Sequence, residues 1–144
     1  SVAAGILSGG DFLVGVDLKK DTARLNAAYD DAQGITAAFN LNLLTRINRE
    51  LGGNFELDGF AHQAYFNEAL GRIEMHLRSL RAQTVTIGDA GFEFKADETI
   101  HTENSYKYSI VEFQELAARA GFTALHSWTD PDELFSVHYL RATG

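Results

Sequence analysis

The sequence predicts an α/β fold, and three observations carry that expectation. Asp11 to Leu18 (DFLVGVDL) is an apolar run opened by Gly9-Gly10 and closed by Asp17 and two lysines. Such a run suits a strand buried on both faces, as in a parallel sheet. Near the other end, a capped helix is followed by two strands. Between these regions lies a long stretch in which helical and strand periods both occur, an α+β insertion.

The elements follow in order. Ser1 to Gly10 (SVAAGILSGG) reads as the tail of a helix running into a turn, as if the chain's beginning lay elsewhere. Asp21 is the predicted N-cap of a helix holding Leu25, Ala28 and Tyr29, which Gly34 breaks. From Ile35 to Leu51, Ile35, Phe39, Leu43, Leu44, Ile47 and Leu51 recur at helical spacing, and Gly52-Gly53 ends the helix. Leu57 to Asn67 mixes aromatics, histidine and small polar residues and is ambiguous. From Arg72 the period becomes two: Ile73, Met75 and Leu77 alternate with Glu74, His76 and Arg78, the pattern of a strand with one wet face. Val85 with Ile87 and Phe92 with Phe94 repeat it around a turn at Asp89 to Gly91. These three strands are expected to form an antiparallel meander, with Thr99 to Ser105 a candidate continuation.

Ser109-Ile110-Val111-Glu112 fits the S-x-x-E capping box. The helix behind it is expected to bury Val111, Leu116 and Ala120 and to stop at Gly121. Phe122 to Trp128 and Leu134 to Leu140 are then two strands joined by Thr129-Asp130-Pro131-Asp132, with Trp128 packing the hairpin onto the helix.

Composition narrows the function. A chain of 144 residues with 45% hydrophobic and 22% charged residues is ordinary for a globular domain. Its net charge of -8, from 20 acidic and 12 basic side chains, argues against nucleic acid, whose phosphates need a basic face. It argues more weakly against an anionic membrane surface. The absence of cysteine removes disulfides, thiol nucleophiles and Cys-ligated zinc. No apolar run approaches the ~20 residues of a membrane helix and no signal peptide is legible, so a cytoplasmic location is expected. The five histidines, His62, His76, His101, His126 and His138, show no H-x-x-x-H or H-x-H spacing, so no metal site is expected, although His76 and His101 could approach across a sheet. No Ser–His–Asp arrangement is legible. Asp30-Asp31 reads as a solvated helix end. Asp17 lies at the carboxyl edge of the first strand, where α/β folds place ligands, and reads either as a ligand contact or as a turn residue.

Several segments resemble the ergothioneine-pathway histidine Nα-methyltransferases, in order and over nearly the whole chain. They are Val14-Gly15-Val16-Asp17-Leu18-Lys19-Lys20-Asp21, Ala28 to Asn40 (AYDDAQGITAAFN), Arg72-Ile73-Glu74-Met75-His76-Leu77, Thr102-Glu103-Asn104-Ser105-Tyr106-Lys107-Tyr108 and Trp128-Thr129-Asp130. The resemblance implies S-adenosyl-L-methionine as methyl donor and free histidine as substrate, methylated on its α-amine. It also implies the C-terminal part of a Rossmann-like sheet, formed by residues 1–20 and 106–144, with residues 21–105 an inserted α+β substrate-recognition region.

By motif, Tyr29 looks like the tyrosine that binds the α-carboxylate, Glu103 and Ser105 like the pair that hold the imidazole, and Met75 like a wall beside the ring. Two residues apart on a strand, Glu103 and Ser105 face one side. On pattern alone, Glu103 is a solvated carboxylate, Ser105 a strand-end hydroxyl, Tyr29 a core residue with its hydroxyl at the rim and Met75 core filler. The sequence departs from the family in having no G-x-G-x-G loop after a strand, so the chain alone is expected neither to bind the donor nor to turn over. No catalytic residue is assigned, and the truncated chain is expected to self-associate. Two alternatives stand beside this reading: a related methyltransferase for another amine or amino acid, and a non-catalytic module that binds a small molecule.

Overall fold

Helical and two-residue periods resolve into three helices and eight strands across residues 9–143, which the computed structural model describes. The expectation of a helix tail at residues 1–8 lies outside the described residues. Residues 9–20 with 106–143 form one compact unit, and residues 21–105 form another.

In the first unit, β1 (Asp11–Asp17), β7 (Phe122–Thr129) and β8 (Phe135–Ala142) form a three-stranded sheet in the order β1-β8-β7, and β8 runs antiparallel to both neighbours. The apolar run of β1 is therefore not enclosed as expected: Phe12 and Leu13 are 40% and 63% exposed. Helix α3 (Ile110–Arg119) packs on β7. Its capping box forms as the sequence requires, with Ser109 Oγ accepting from the Glu112 amide and the Glu112 carboxylate accepting from the Ser109 amide. The buried face is rotated from the expected one. Ala117 is the buried residue, Phe113 and Ala120 pack with it on Phe122, Leu140 and Ala142, and Val111 and Leu116 are exposed. Trp128, expected to pack the hairpin onto the helix, is half exposed and lies edge-on to His126.

In the second unit, α1 (Thr22–Tyr29) begins where Asp21 accepts from the Arg24 amide, and it buries Leu25. Asp31 is not merely solvated. Its carboxylate accepts from the Ile35 and Thr36 amides at the start of α2 (Ile35–Leu51), which holds its pKa down to about 2. Gly52 ends α2 at φ 65°, a conformation glycine adopts without steric cost.

The ambiguous stretch becomes a 3-10 turn (Leu57–Gly59) and β2 (Phe60–Asn67), which pairs antiparallel with β3 (Arg72–Ser79). The expected meander does not form. β3 lies between β2 and β6 (Thr99–Tyr106), while β4 (Gln83–Ile87) and β5 (Ala90–Phe94) make a hairpin of their own. As the central strand β3 is covered on both faces, so Glu74 and His76, expected wet, are buried. The core is Leu44, Phe55, Phe60, Leu77 and Val85, continued by Leu25, Ile73 and Met75. No described helix is long and apolar enough to cross a membrane.

Candidate functional site

Of the four residues singled out from the sequence, Tyr29, Met75 and Ser105 are brought together by α1 and the β2-β3-β6 sheet, while Glu103 shares β6 with Ser105 and faces α2 across a groove. Met75, mid-strand on β3 and 2% exposed, packs with Leu25 and Ile73, and the half-buried ring of Tyr29 lies against this group. Tyr29 is the last residue of α1, which carries its hydroxyl to β6, 2.8 Å from Ser105 Oγ. The hydroxyls expected to serve opposite ends of a substrate therefore serve each other here. Thr102 on β6 donates to the Met75 carbonyl at 2.9 Å, tying the two strands beneath the site.

Glu103 is exposed and borders a groove of about 190 Å³ with Thr102, Asn40, Phe39, Leu43 and Arg46. The groove is mixed in character: α2 brings Phe39 and Leu43 together with the polar Asn40, Asn42 and Arg46, and β6 adds Thr102 and Glu103.

Sequence reading missed a second layer. Asn40, on α2 and 3% exposed, donates through its side-chain amide to the His76 carbonyl and to His62 Nδ1, each at 3.0 Å. His62 Nε2 lies 2.8 Å from the Tyr29 carbonyl. A signal was present: Asn40 stands four residues before Leu44, on the stripe that turns inward.

On other strand positions, Glu74 accepts from Arg72, Tyr65 and Asn67 and contacts His76 Nε2 at 3.2 Å. The Arg72 guanidinium foremost, then the Tyr65 hydroxyl, hold its pKa down to about 2 against the opposing effect of burial. The His76 ring is stacked between Tyr65 and His101, with centroids 5.5 and 4.4 Å away. Glu74, His76 and His101 are the group of potential metal ligands among the described residues. The two imidazoles are nearly parallel, at 23°, so their in-plane lone pairs run side by side instead of converging. Glu74 is already engaged by its hydrogen-bond donors. This arrangement fits a stacked, hydrogen-bonded strand face better than a metal centre.

In the first unit, burial opposes the charge of Asp17, but hydrogen bonds from Lys107 and Lys20 outweigh it and hold its pKa below the usual carboxylate range. Lys107 is 2% exposed, so the pair anchors the carboxyl end of β1. Ser136 donates to the Val16 carbonyl and lies 2.9 Å from His138 Nε2. Both side chains are fully buried, out of reach of a substrate, and burial lowers the His138 pKa.

The sequence that builds this geometry has counterparts among known proteins. The model of the SAM-dependent, histidine-specific methyltransferases matches residues 1–142. The chain belongs to this family. The histidine N-alpha-methyltransferase of Mycolicibacterium smegmatis is 47% identical over 91% of the chain, and that of Mycobacterium tuberculosis 45% identical over 88%. An L-tryptophan methyltransferase of Psilocybe serbica is 28% identical over 93% of the chain. The chain spans about two fifths of the length of these methyltransferases: 42%, 40% and 38% respectively.

Proposed function

We propose that the complete protein carrying this chain transfers a methyl group from S-adenosylmethionine to the α-amine of histidine, and that residues 21–105 recognise the amino acid. The observation that carries this reading is the meeting of Tyr29, Met75 and Ser105 on one sheet, with Glu103 on the same strand as Ser105. Methyl transfer to an amine is an in-line displacement, and it needs a neutral lone pair aimed at the methyl carbon. Holding the reactants in that geometry supplies a large share of the rate, so recognition is the main task of these residues.

In this reading Glu103 accepts the imidazole N–H and Ser105 serves the other ring nitrogen, for which a hydroxyl can donate or accept. The Tyr29 hydroxyl binds the carboxylate, and Met75 walls the ring. Substrate enters by replacing the Tyr29–Ser105 hydrogen bond, each hydroxyl turning to its own ligand group. A site that hydrogen-bonds a ring N–H rejects analogues lacking it far more strongly than an apolar pocket does.

Among the described residues no glycine-rich loop follows a strand. The glycines with positive φ stand singly at turns and helix ends, and Gly15 on β1 is covered by the Phe135 ring, 2.6 Å from where a Cβ would stand. The donor is therefore assigned to the rest of the protein. The first unit is read as the closing edge of a Rossmann-like sheet, supported by β8 lying antiparallel between β1 and β7. A cytoplasmic location stays part of the reading.

The likeness to a tryptophan methyltransferase favours one second reading, another amino acid with a ring N–H. Assaying the complete enzyme with S-adenosylmethionine against histidine, tryptophan, phenylalanine and histamine separates the two. Histidine is expected to exceed every other substrate in kcat/KM by at least about a hundredfold. A higher value for tryptophan would transfer the assignment to that amino acid.

A further inference from the structure

We infer that Asn40 and His62 are positioning residues for Tyr29, a relay that fixes the carboxylate-binding end of the substrate site from beneath. The inference rests on the role proposed above for Tyr29.

The hydrogen-bond directions can be assigned from the partners. The His76 carbonyl can only accept, so the Asn40 atom 3.0 Å from it is the amide nitrogen. That nitrogen also lies 3.0 Å from His62 Nδ1, which must therefore accept. A neutral imidazole that accepts at Nδ1 carries its proton on Nε2, and Nε2 lies 2.8 Å from the Tyr29 carbonyl. Asn40 thus selects the His62 tautomer, and the tautomer directs a donor at Tyr29.

The place of that donor gives it a function. Tyr29 ends α1, and the last carbonyls of a helix have no partner within it. His62 supplies one from β2, while Asn40 supplies the link to α2 and to β3 through the His76 backbone. The main chain of Tyr29 is held below, and its hydroxyl is directed above to Ser105. Both Asn40 and the β3 carbonyl it holds are buried, so solvent does not compete for these bonds as it would at a surface. The role inferred for Asn40 and His62 lies in where they hold the tyrosine, whatever contact Asn40 makes at the wall of the Glu103 groove.

The test uses the complete enzyme and the variants His62→Ala, His62→Gln, Tyr29→Phe and His62→Ala/Tyr29→Phe. Melting temperature is measured beside KM for histidine, KM for the donor and kcat. His62→Ala is expected to raise the histidine KM about fivefold, the scale of one lost hydrogen bond, with donor KM unchanged. His62→Gln, whose terminal amide can both accept from Asn40 and donate to the Tyr29 carbonyl, is expected to restore most of the affinity. In the Tyr29→Phe background, His62→Ala is expected to add nothing further to the histidine KM.

Three results overturn the inference while leaving the role of Tyr29 intact. They are an unchanged histidine KM in His62→Ala, an equal rise in both KM values, and a His62→Ala effect that adds in full to Tyr29→Phe. If His62→Ala fails to fold, His62→Gln decides alone. Wild-type affinity with wild-type melting supports the relay, and lost affinity at unchanged melting overturns it. A Tyr29→Phe variant with wild-type histidine KM overturns the underlying reading, and the relay with it.

Discussion

Among single side chains, the carboxylates carry the sharpest consequences for stability. Glu74 is buried on the central strand and its pKa is held down to about 2 by Arg72, Tyr65, His76 and Asn67. A depressed folded pKa means the unfolded chain binds the proton more readily, so the stabilisation is complete above the ordinary value. It is lost as pH falls from about 4.5 toward 2. Glu74→Gln is expected to lower the melting temperature at neutral pH and to flatten its decline across that acid window. A decline as steep as in the parent chain would contradict the role given to Glu74. The candidate ligand residues Tyr29, Glu103, Ser105 and Met75 were visible in the sequence only through their surrounding motifs. Asn40 was marked only by its i,i+4 spacing to Leu44 on the inward stripe, and His62 by nothing in the residues around it. Their significance lies in partners 22 and 33 residues away.

The helices and strands show why the element order was legible while the faces were not. Capping chemistry is local: Asp21, Gly52 and the Ser109–Glu112 box set helix ends through atoms within a few residues. Which face turns inward depends on distant partners. Helix α2 carries two apolar stripes, and the inward one runs through Asn40, Leu44 and Ile47. Ile35, Phe39 and Leu43, on the same spacing, are 65%, 67% and 39% exposed. The pairing of β3 with β2 and β6 has the same origin, since a two-residue period says nothing of the neighbouring strand. The outer stripe of α2 leads to a prediction for the isolated 144-residue chain. It is expected to self-associate, with sedimentation coefficients rising with concentration, and Ile35→Lys with Phe39→Lys is expected to suppress the rise. A single monomeric boundary at high concentration would rule this out.

For the molecule as a whole, the mixed α/β class and the chain order of its elements apart from β2 were readable, and the antiparallel sheets were readable in part. The hairpin of β7 and β8 followed from a turn between two apolar runs, whereas β8 lying between β1 and β7 is long-range topology that periodicity does not encode. Family membership rests on a match that covers residues 1–142 and so runs through both units. The proposal that matters most is that residues 21–105 recognise histidine through Glu103 and Ser105 in the complete protein. Calorimetric titration of that enzyme with histidine, comparing the parent with Glu103→Gln and Ser105→Ala, tests it most directly. Histidine affinity is expected to fall about tenfold or more in Glu103→Gln, as for a lost hydrogen bond to a charged group, and by less in Ser105→Ala. Donor affinity should be the same in all three. Histidine affinity unchanged in Glu103→Gln would contradict the claim.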